Sequence, residues 1–92
     1  MIKTLRGALA ESIYSGRCPK ELENCRSAAE RKLRYLESAS TLDDLRSPPG
    51  NRLEQLNGDR AGQYSIRIND QYRICFSWDG SDAYNVEILD YH

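Results

Sequence analysis

The sequence predicts a small α+β domain: an antiparallel sheet with two N-terminal helices packed against one of its faces. Two periodicities and one break predict it. Up to about residue 39, apolar residues recur at helical spacing; from Tyr64 onward they recur at every second position. Between these stretches lies "SPPGN", whose two prolines and glycine cannot continue a helix. The element order is strand, two helices, then a run of antiparallel strands, within one domain spanning residues 1–92.

"MIKTLR" alternates and reads as a short opening strand. "GALAESIYSG" puts Leu9 and Ile13 on one helical face and stops at Gly16. From Lys20 to about Ala39, Leu22, Cys25, Ala29, Leu33 and Leu36 form one apolar stripe of a single helix. Glu30 and Arg34 stand four apart on it, in the favourable order for an ion pair. Arg26, Arg31, Lys32 and Arg34 are interspersed with glutamates, which marks a solvated surface rather than a nucleic-acid face. "TLDDL" offers Thr41 and Asp44 as a capping box for a short turn.

The three alternating segments are "YSIRI", "YRICFSW" and "YNVEI". Apolar faces match across the first pair only if the loop is odd, and Asn69-Asp70-Gln71 is the simplest choice. Ile66 then faces Ile74, Tyr64 faces Phe76, and Arg67 falls opposite Arg73 on the other face. A three-residue loop at "DGS" would set Phe76 against Tyr84, Ile74 against Val86 and Arg73 against Glu87. Tyr84 would point inward with the other aromatics. Two cations facing each other repel. Either water and a nearby acid screen them, or both arginines await an anion such as phosphate, which suits the guanidinium fork.

The formal net charge of −1 does not announce a nucleic-acid binder, so any basic patch must be local. Five arginines fall between Arg46 and Arg73, whereas no Lys or Arg follows Trp78. Three cysteines without CxxC spacing, together with one histidine, give no dedicated metal site and suggest reduced thiols in a cytosolic protein. No run of 18 apolar residues exists, so no membrane partner is expected. That single histidine is His92, the last residue of "EILDYH". Chain ends usually fray. A tail that extends a central hairpin is held, and this one runs toward the 69–71 turn and the two arginines.

"LNGDRAGQYSIRINDQYRICFSW…VEILDYH" resembles the HigB branch of the RelE/ParE toxin superfamily, over essentially the whole chain. "SPPGNRLEQL" looks like the variant of the GraT-like subgroup. The resemblance implies a RelE-like fold and a bacterial toxin that cleaves mRNA in the ribosomal A site without metal or other cofactor. It also implies, as partners, the 70S ribosome with its mRNA and a HigA-type helix-turn-helix antitoxin, with operator DNA reached only through that complex. The family's active-centre residues map onto His92, Tyr91, Asp90 and Arg73. His92 is the candidate for proton transfer, Arg73 for phosphate clamping, Tyr91 for stacking on a base or positioning the nucleophile, and Asp90 for orienting the imidazole or accepting a proton itself. Relatives read "HPLKGDR" where this chain has "EQLNGDR". Glu54 therefore replaces a histidine and Asn57 replaces the active-centre lysine, which predicts a slow nuclease unless Arg52, Arg60 or Arg67 compensates. Two other readings remain: a ParE-like gyrase inhibitor, which the "DYH" ending disfavours, and an antitoxin-binding partner whose catalysis has lapsed.

Overall fold

The structure, a computed structural model, describes residues 1–90. Helix α1 covers Ala8–Tyr14 and α2 covers Arg26–Ser38. The strands are β1 (Glu54–Gln55), β2 (Gln63–Arg67), β3 (Tyr72–Asp79) and β4 (Asp82–Asp90), antiparallel in the order β1-β2-β3-β4. The fold class expected from the sequence is the one observed.

The long helix expected over 20–39 divides in two. Lys20–Cys25 is a 3₁₀ segment, and Cys25 leaves helical geometry before α2 begins. The apolar stripe survives the change, because residues three apart eclipse in a 3₁₀ turn and keep Leu22 and Cys25 on one side. Leu22, Cys25, Ala29, Leu33 and Leu36 are all buried. They meet Ile66, Ile74, Phe76, Val86 and Ile88 from the sheet, with Ala10 and Ile13 from α1 closing the core. Gly16 (φ 91) turns the chain after α1, where its amide donates to the Ile13 carbonyl at 3.1 Å.

The opening segment is not a ladder strand. It makes two isolated parallel bridges to β4, Ile2 with Ala83 and Leu5 with Val86. It is also tied to α2, where Glu37 accepts a 2.5 Å bond from the Ile2 amide. Glu30 pairs with Arg26 at 3.3 Å rather than with the expected Arg34.

The capping box is present. Thr41 accepts from the Asp44 amide, and the Asp44 carboxylate accepts from the Thr41 and Ser40 amides, which holds its pKa below the ordinary value. After it, Asn51 is fully buried. Its amide donates to the carbonyls of Leu45 (3.1 Å) and Ser47 (3.4 Å), and its side-chain oxygen accepts from Lys32 Nζ at 2.5 Å. Lys32 therefore departs from the solvated face expected for it. It is 5% exposed and has the Tyr35 ring 5.5 Å from its amine. Burial, with Arg31 and Arg67 nearby, lowers its pKa.

The β2–β3 register is as derived: Tyr64–Phe76, Ile66–Ile74 and Arg67–Arg73. The β3–β4 register is not. Asp79 opposes Asp82 across a two-residue turn, with Gly80 at φ 66 in the position a type II′ hairpin gives to glycine. A bulge follows between Cys75 and Ser77, opposite Asn85, which adopts a left-handed φ of 52. Beyond it Ile74 faces Ile88 and Cys75 faces Glu87. Arg73 therefore lies opposite Leu89, not Glu87. Tyr84 opposes Ser77, which puts it on the side away from the helices rather than in the core.

Two predictions follow from the Asn51 contacts. Asn51→Ala should lower unfolding free energy by about 3 kcal/mol in urea titrations, because it strands a buried amine and two carbonyls. The unfolded Lys32 amine keeps its proton up to the ordinary value of 10.5, whereas the folded one releases it earlier. The unfolded chain thus binds more protons in that window, and the stability of the protein relative to Lys32→Met should rise as pH increases from neutral toward 10.5. A difference independent of pH would show that folding does not perturb the amine.

Candidate functional site

The sheet face away from the helices carries a transverse row through all four strands: Glu54 pairs with Ser65, Ser65 with Cys75, and Cys75 with Glu87. Paired residues share a face, so these four side chains stand on one side together with Arg67 and Arg73. Arg73 is only 8% exposed. A guanidinium cannot shed its charge, so burial there demands partners. Its Nε donates to Ser65 Oγ at 3.0 Å and its Nη2 to the Arg52 carbonyl at 2.9 Å, while Nη1 lies 3.5 Å from Glu54 Oε1.

Each contact has a local cause. Ser65 projects from the middle of β2, two positions from Arg67, and is fully buried. Arg52 presents its carbonyl because it takes a left-handed φ of 46 just after the Pro49–Asn51 turn. Glu54 lies on the short edge strand β1, where its carboxylate stays half exposed. The hydroxyl and the carbonyl fix the guanidinium in plane, and the Glu54 carboxylate approaches it from the exposed edge strand.

Arg60 closes the Gly58–Arg60 turn and reaches across the sheet to Glu87 on β4. The Nη1–Oε1 distance is 2.6 Å, and the same nitrogen donates to Gln63 Oε1 at 3.0 Å. Cys75, between Ser65 and Glu87 in the row, is completely buried, and burial raises its pKa. It is an inert thiol within a polar face, not a nucleophile. Arg67 ion-pairs with Asp70 in the β2–β3 turn, and that carboxylate is fully exposed. Each of the three arginines on this face is thus matched to an acid: Arg73 to Glu54, Arg60 to Glu87 and Arg67 to Asp70.

The candidates read from sequence separate into groups. Arg73, Arg67 and Arg60 share the face, and Arg52 contributes through its backbone. Asn57 is exposed at the start of the turn that carries Arg60. Asp90 stands opposite Tyr72, hence on the helix side of the sheet edge, where it accepts from Gln71 Nε2 at 3.1 Å. That places it beside the 69–71 turn, as expected, but not on the Arg73 side. Tyr91 and His92 lie outside the described residues. Ser65 and Gln63 were not singled out by sequence. The derived register put Ser65 opposite Cys75 and could have pointed to it; Gln63 had no such signal. Among the described residues, no group of three His, Cys, Asp or Glu is placed to hold a metal.

Residues 15–92 match the family described as RelE-like toxin of type II toxin-antitoxin system HigB. Toxin HigB-1 of Vibrio cholerae is 47% identical over 74 residues, 80% of this chain and 74% of that protein. Endoribonuclease HigB of Proteus vulgaris is 42% identical over 41 residues, 45% of each chain. In fold, the chain is similar to YafQ from E. coli (TM-score 0.60, 13% identity, 98% of this chain and 91% of that one). It is also similar to YoeB of the YoeB–YefM toxin–antitoxin complex from Staphylococcus aureus (TM-score 0.57, 19% identity, 100% and 98%).

The cradle around Arg73 makes two outcomes measurable. Ser65→Ala should cost about 1–2 kcal/mol of stability in urea unfolding, by leaving a buried charged donor short of a partner. Native-state thiol labelling should modify Cys18 first and reach Cys75 only upon unfolding, since Cys18 is partly exposed and Cys75 is not. Fast labelling of Cys75 in the folded protein would mean that the Arg60–Glu87 side of the sheet opens.

Proposed function

The chain belongs to the HigB-like family of RelE-like toxins of type II toxin–antitoxin systems, and from that premise we propose that it is a ribosome-dependent, metal-independent mRNA endonuclease that stops translation. The observation that carries the reading is Arg73, a guanidinium held in a fixed plane on the helix-free face of the sheet. RNA cleavage without metal develops negative charge on a phosphoryl group, and a preorganised cation stabilises that charge without reorganising during the reaction.

In this mechanism Arg73 clamps the scissile phosphate and Arg67 steadies the neighbouring backbone. The 2′-hydroxyl attacks the phosphorus as its proton leaves to a base, and the departing 5′-oxygen takes a proton from an acid. His92 is assigned the proton transfer at the leaving oxygen, Tyr91 the stacking of a base and Asp90 the orientation of the imidazole. Asn57 stands where the family pattern carries a lysine, and that loss slows the enzyme unless Arg52, Arg60 or Arg67 compensates.

The partners are the 70S ribosome with its mRNA, and a HigA-type helix-turn-helix antitoxin through which the toxin reaches operator DNA. The setting is the cytoplasm. None of the helices among the described residues is long and apolar enough to cross a membrane.

The test is mRNA cleavage on purified 70S ribosomes by the intact protein, a version lacking His92, and Arg73→Lys. Arg73→Lys keeps the charge but loses the planar fork. The intact protein should cut, and both variants should lose on the order of 10²-fold or more in rate. Undiminished cutting by the truncated protein would take proton transfer away from His92. Absence of cutting by the intact protein, with inhibition of gyrase, would replace this reading with the gyrase one.

A further inference from the structure

Glu54 meets Arg73 from a solvent-exposed position on the edge of the sheet. Ser65, which receives Nε, is fully buried, whereas the Glu54 side chain is 54% exposed and reaches in from a two-residue edge strand. A carboxylate on a guanidinium offers the same chemistry as a phosphate: paired anionic oxygens in plane with the N–H fork. The contact is long for a charge-assisted hydrogen bond, at 3.5 Å, whereas Arg60 holds Glu87 at 2.6 Å behind a carboxylate that is only 12% exposed. Of these two acids, therefore, Glu87 is built in and Glu54 is displaceable.

We propose that Glu54 is an intramolecular stand-in for the RNA phosphate, occupying Arg73 until substrate displaces it. The inference rests on the proposed RNA cleavage for its substrate and on the Arg73 contacts for its geometry. Arg73 keeps its orientation when Glu54 leaves, because the Ser65 hydroxyl and the Arg52 carbonyl remain in place. The charge that a substrate phosphate would meet is thus masked in the free protein, at no loss of preorganisation in the bound one. Glu54 acts on occupancy of the site and not on the chemical step. Its removal should lower KM and leave kcat unchanged, whereas a residue that merely braces Arg73 would, when removed, lower kcat.

Salt dependence gives a second, independent signature. When an intramolecular carboxylate neutralises an arginine, a phosphate contact there displaces that carboxylate rather than a bound counterion. Removing the Glu54 carboxylate should therefore steepen the decline of log affinity with log salt by roughly 0.7 per single-strand phosphate contact.

The experiment compares the intact protein, Glu54→Gln and Glu23→Gln, a control that removes one exposed charge from the helical side of the molecule. The probes are a single-stranded oligoribonucleotide for direct binding and 70S ribosomes with mRNA for kinetics. For Glu54→Gln the expected result is a roughly two- to fivefold lower Kd and KM, the range of an exposed ion pair, with unchanged kcat and a steeper salt slope. Glu23→Gln should match the intact protein. Equal affinities and slopes for Glu54→Gln and Glu23→Gln, or a lower kcat in Glu54→Gln, overturn the proposal. If no protein cleaves mRNA but Glu54→Gln alone gains affinity and slope, the masking stands and the nuclease reading falls. If neither cleavage nor that gain appears, both fall.

Discussion

One buried side chain, Asn51, ties the helical half of this protein to its catalytic candidate. Its amide and carbonyl bind α2 through Lys32, the capped 3₁₀ turn through the Leu45 carbonyl, and the proline segment through the Ser47 carbonyl. The next residue, Arg52, takes a left-handed conformation and gives its carbonyl to Arg73. A polar group with every hydrogen bond made is directional in a way that apolar packing is not. It fixes where the proline segment crosses the molecule, and so where an acceptor for the guanidinium sits. The hydrophobic core alone would leave that loop free to slide.

The second constraint is the bulge at Asn85. It lets β4 turn tightly at Gly80-Ser81 near its start and still present Val86 and Ile88 to the core near its end. Without the extra residue, one half of the strand would have the wrong face inward. The same residue receives the N-terminal segment, since the Asn85 amide donates to Thr4 Oγ1 at 2.7 Å. The bulge also sets the polar face. By moving Glu87 opposite Cys75 and Leu89 opposite Arg73, it places Glu87 within reach of Arg60 and leaves Arg73 to Glu54.

Sequence made much of this legible wherever the information was periodic. The stripe from Leu22 to Leu36, the capping box at Thr41 and Asp44, and the β2–β3 register that sets Arg67 against Arg73 follow from spacing and loop parity. What sequence did not carry was long-range or conformational. "YNVEI" looks like an unbroken alternation, and nothing local reveals that Asn85 will adopt a positive φ. Lys32 looks like one more solvated cation, because its acceptor lies 19 residues away in a proline loop. Glu54 stands at a strand position in a stretch too short to show alternation, so its register against Ser65 could not be derived. The family resemblance reached further than spacing did and supplied the chemistry. It could not supply the local pairings, because Glu54 and Asn57 are the positions where this chain departs from the pattern.

Those pairings rank the arginines proposed to compensate for Asn57, which stands where the family pattern carries a lysine. Of the three arginines offered as substitutes, Arg60 is committed to Glu87 and Gln63 within a part-buried network, and moving it would leave Glu87, itself only 12% exposed, without that partner. Breaking a buried pair on one side costs far more than separating an exposed one. Arg52 contributes its carbonyl to Arg73, which constrains its backbone but leaves its exposed side chain uncommitted to the face. Arg67 differs from both. It stands directly opposite Arg73, and its partner Asp70 is fully exposed in a turn, so that pair separates at little cost when a stronger anion arrives. Repulsion between two opposed arginines, a defect in the empty face, becomes an advantage once a phosphate lies between them. On these energetics, and within the proposed nuclease mechanism, Arg67 is the arginine whose release to meet a phosphate costs least.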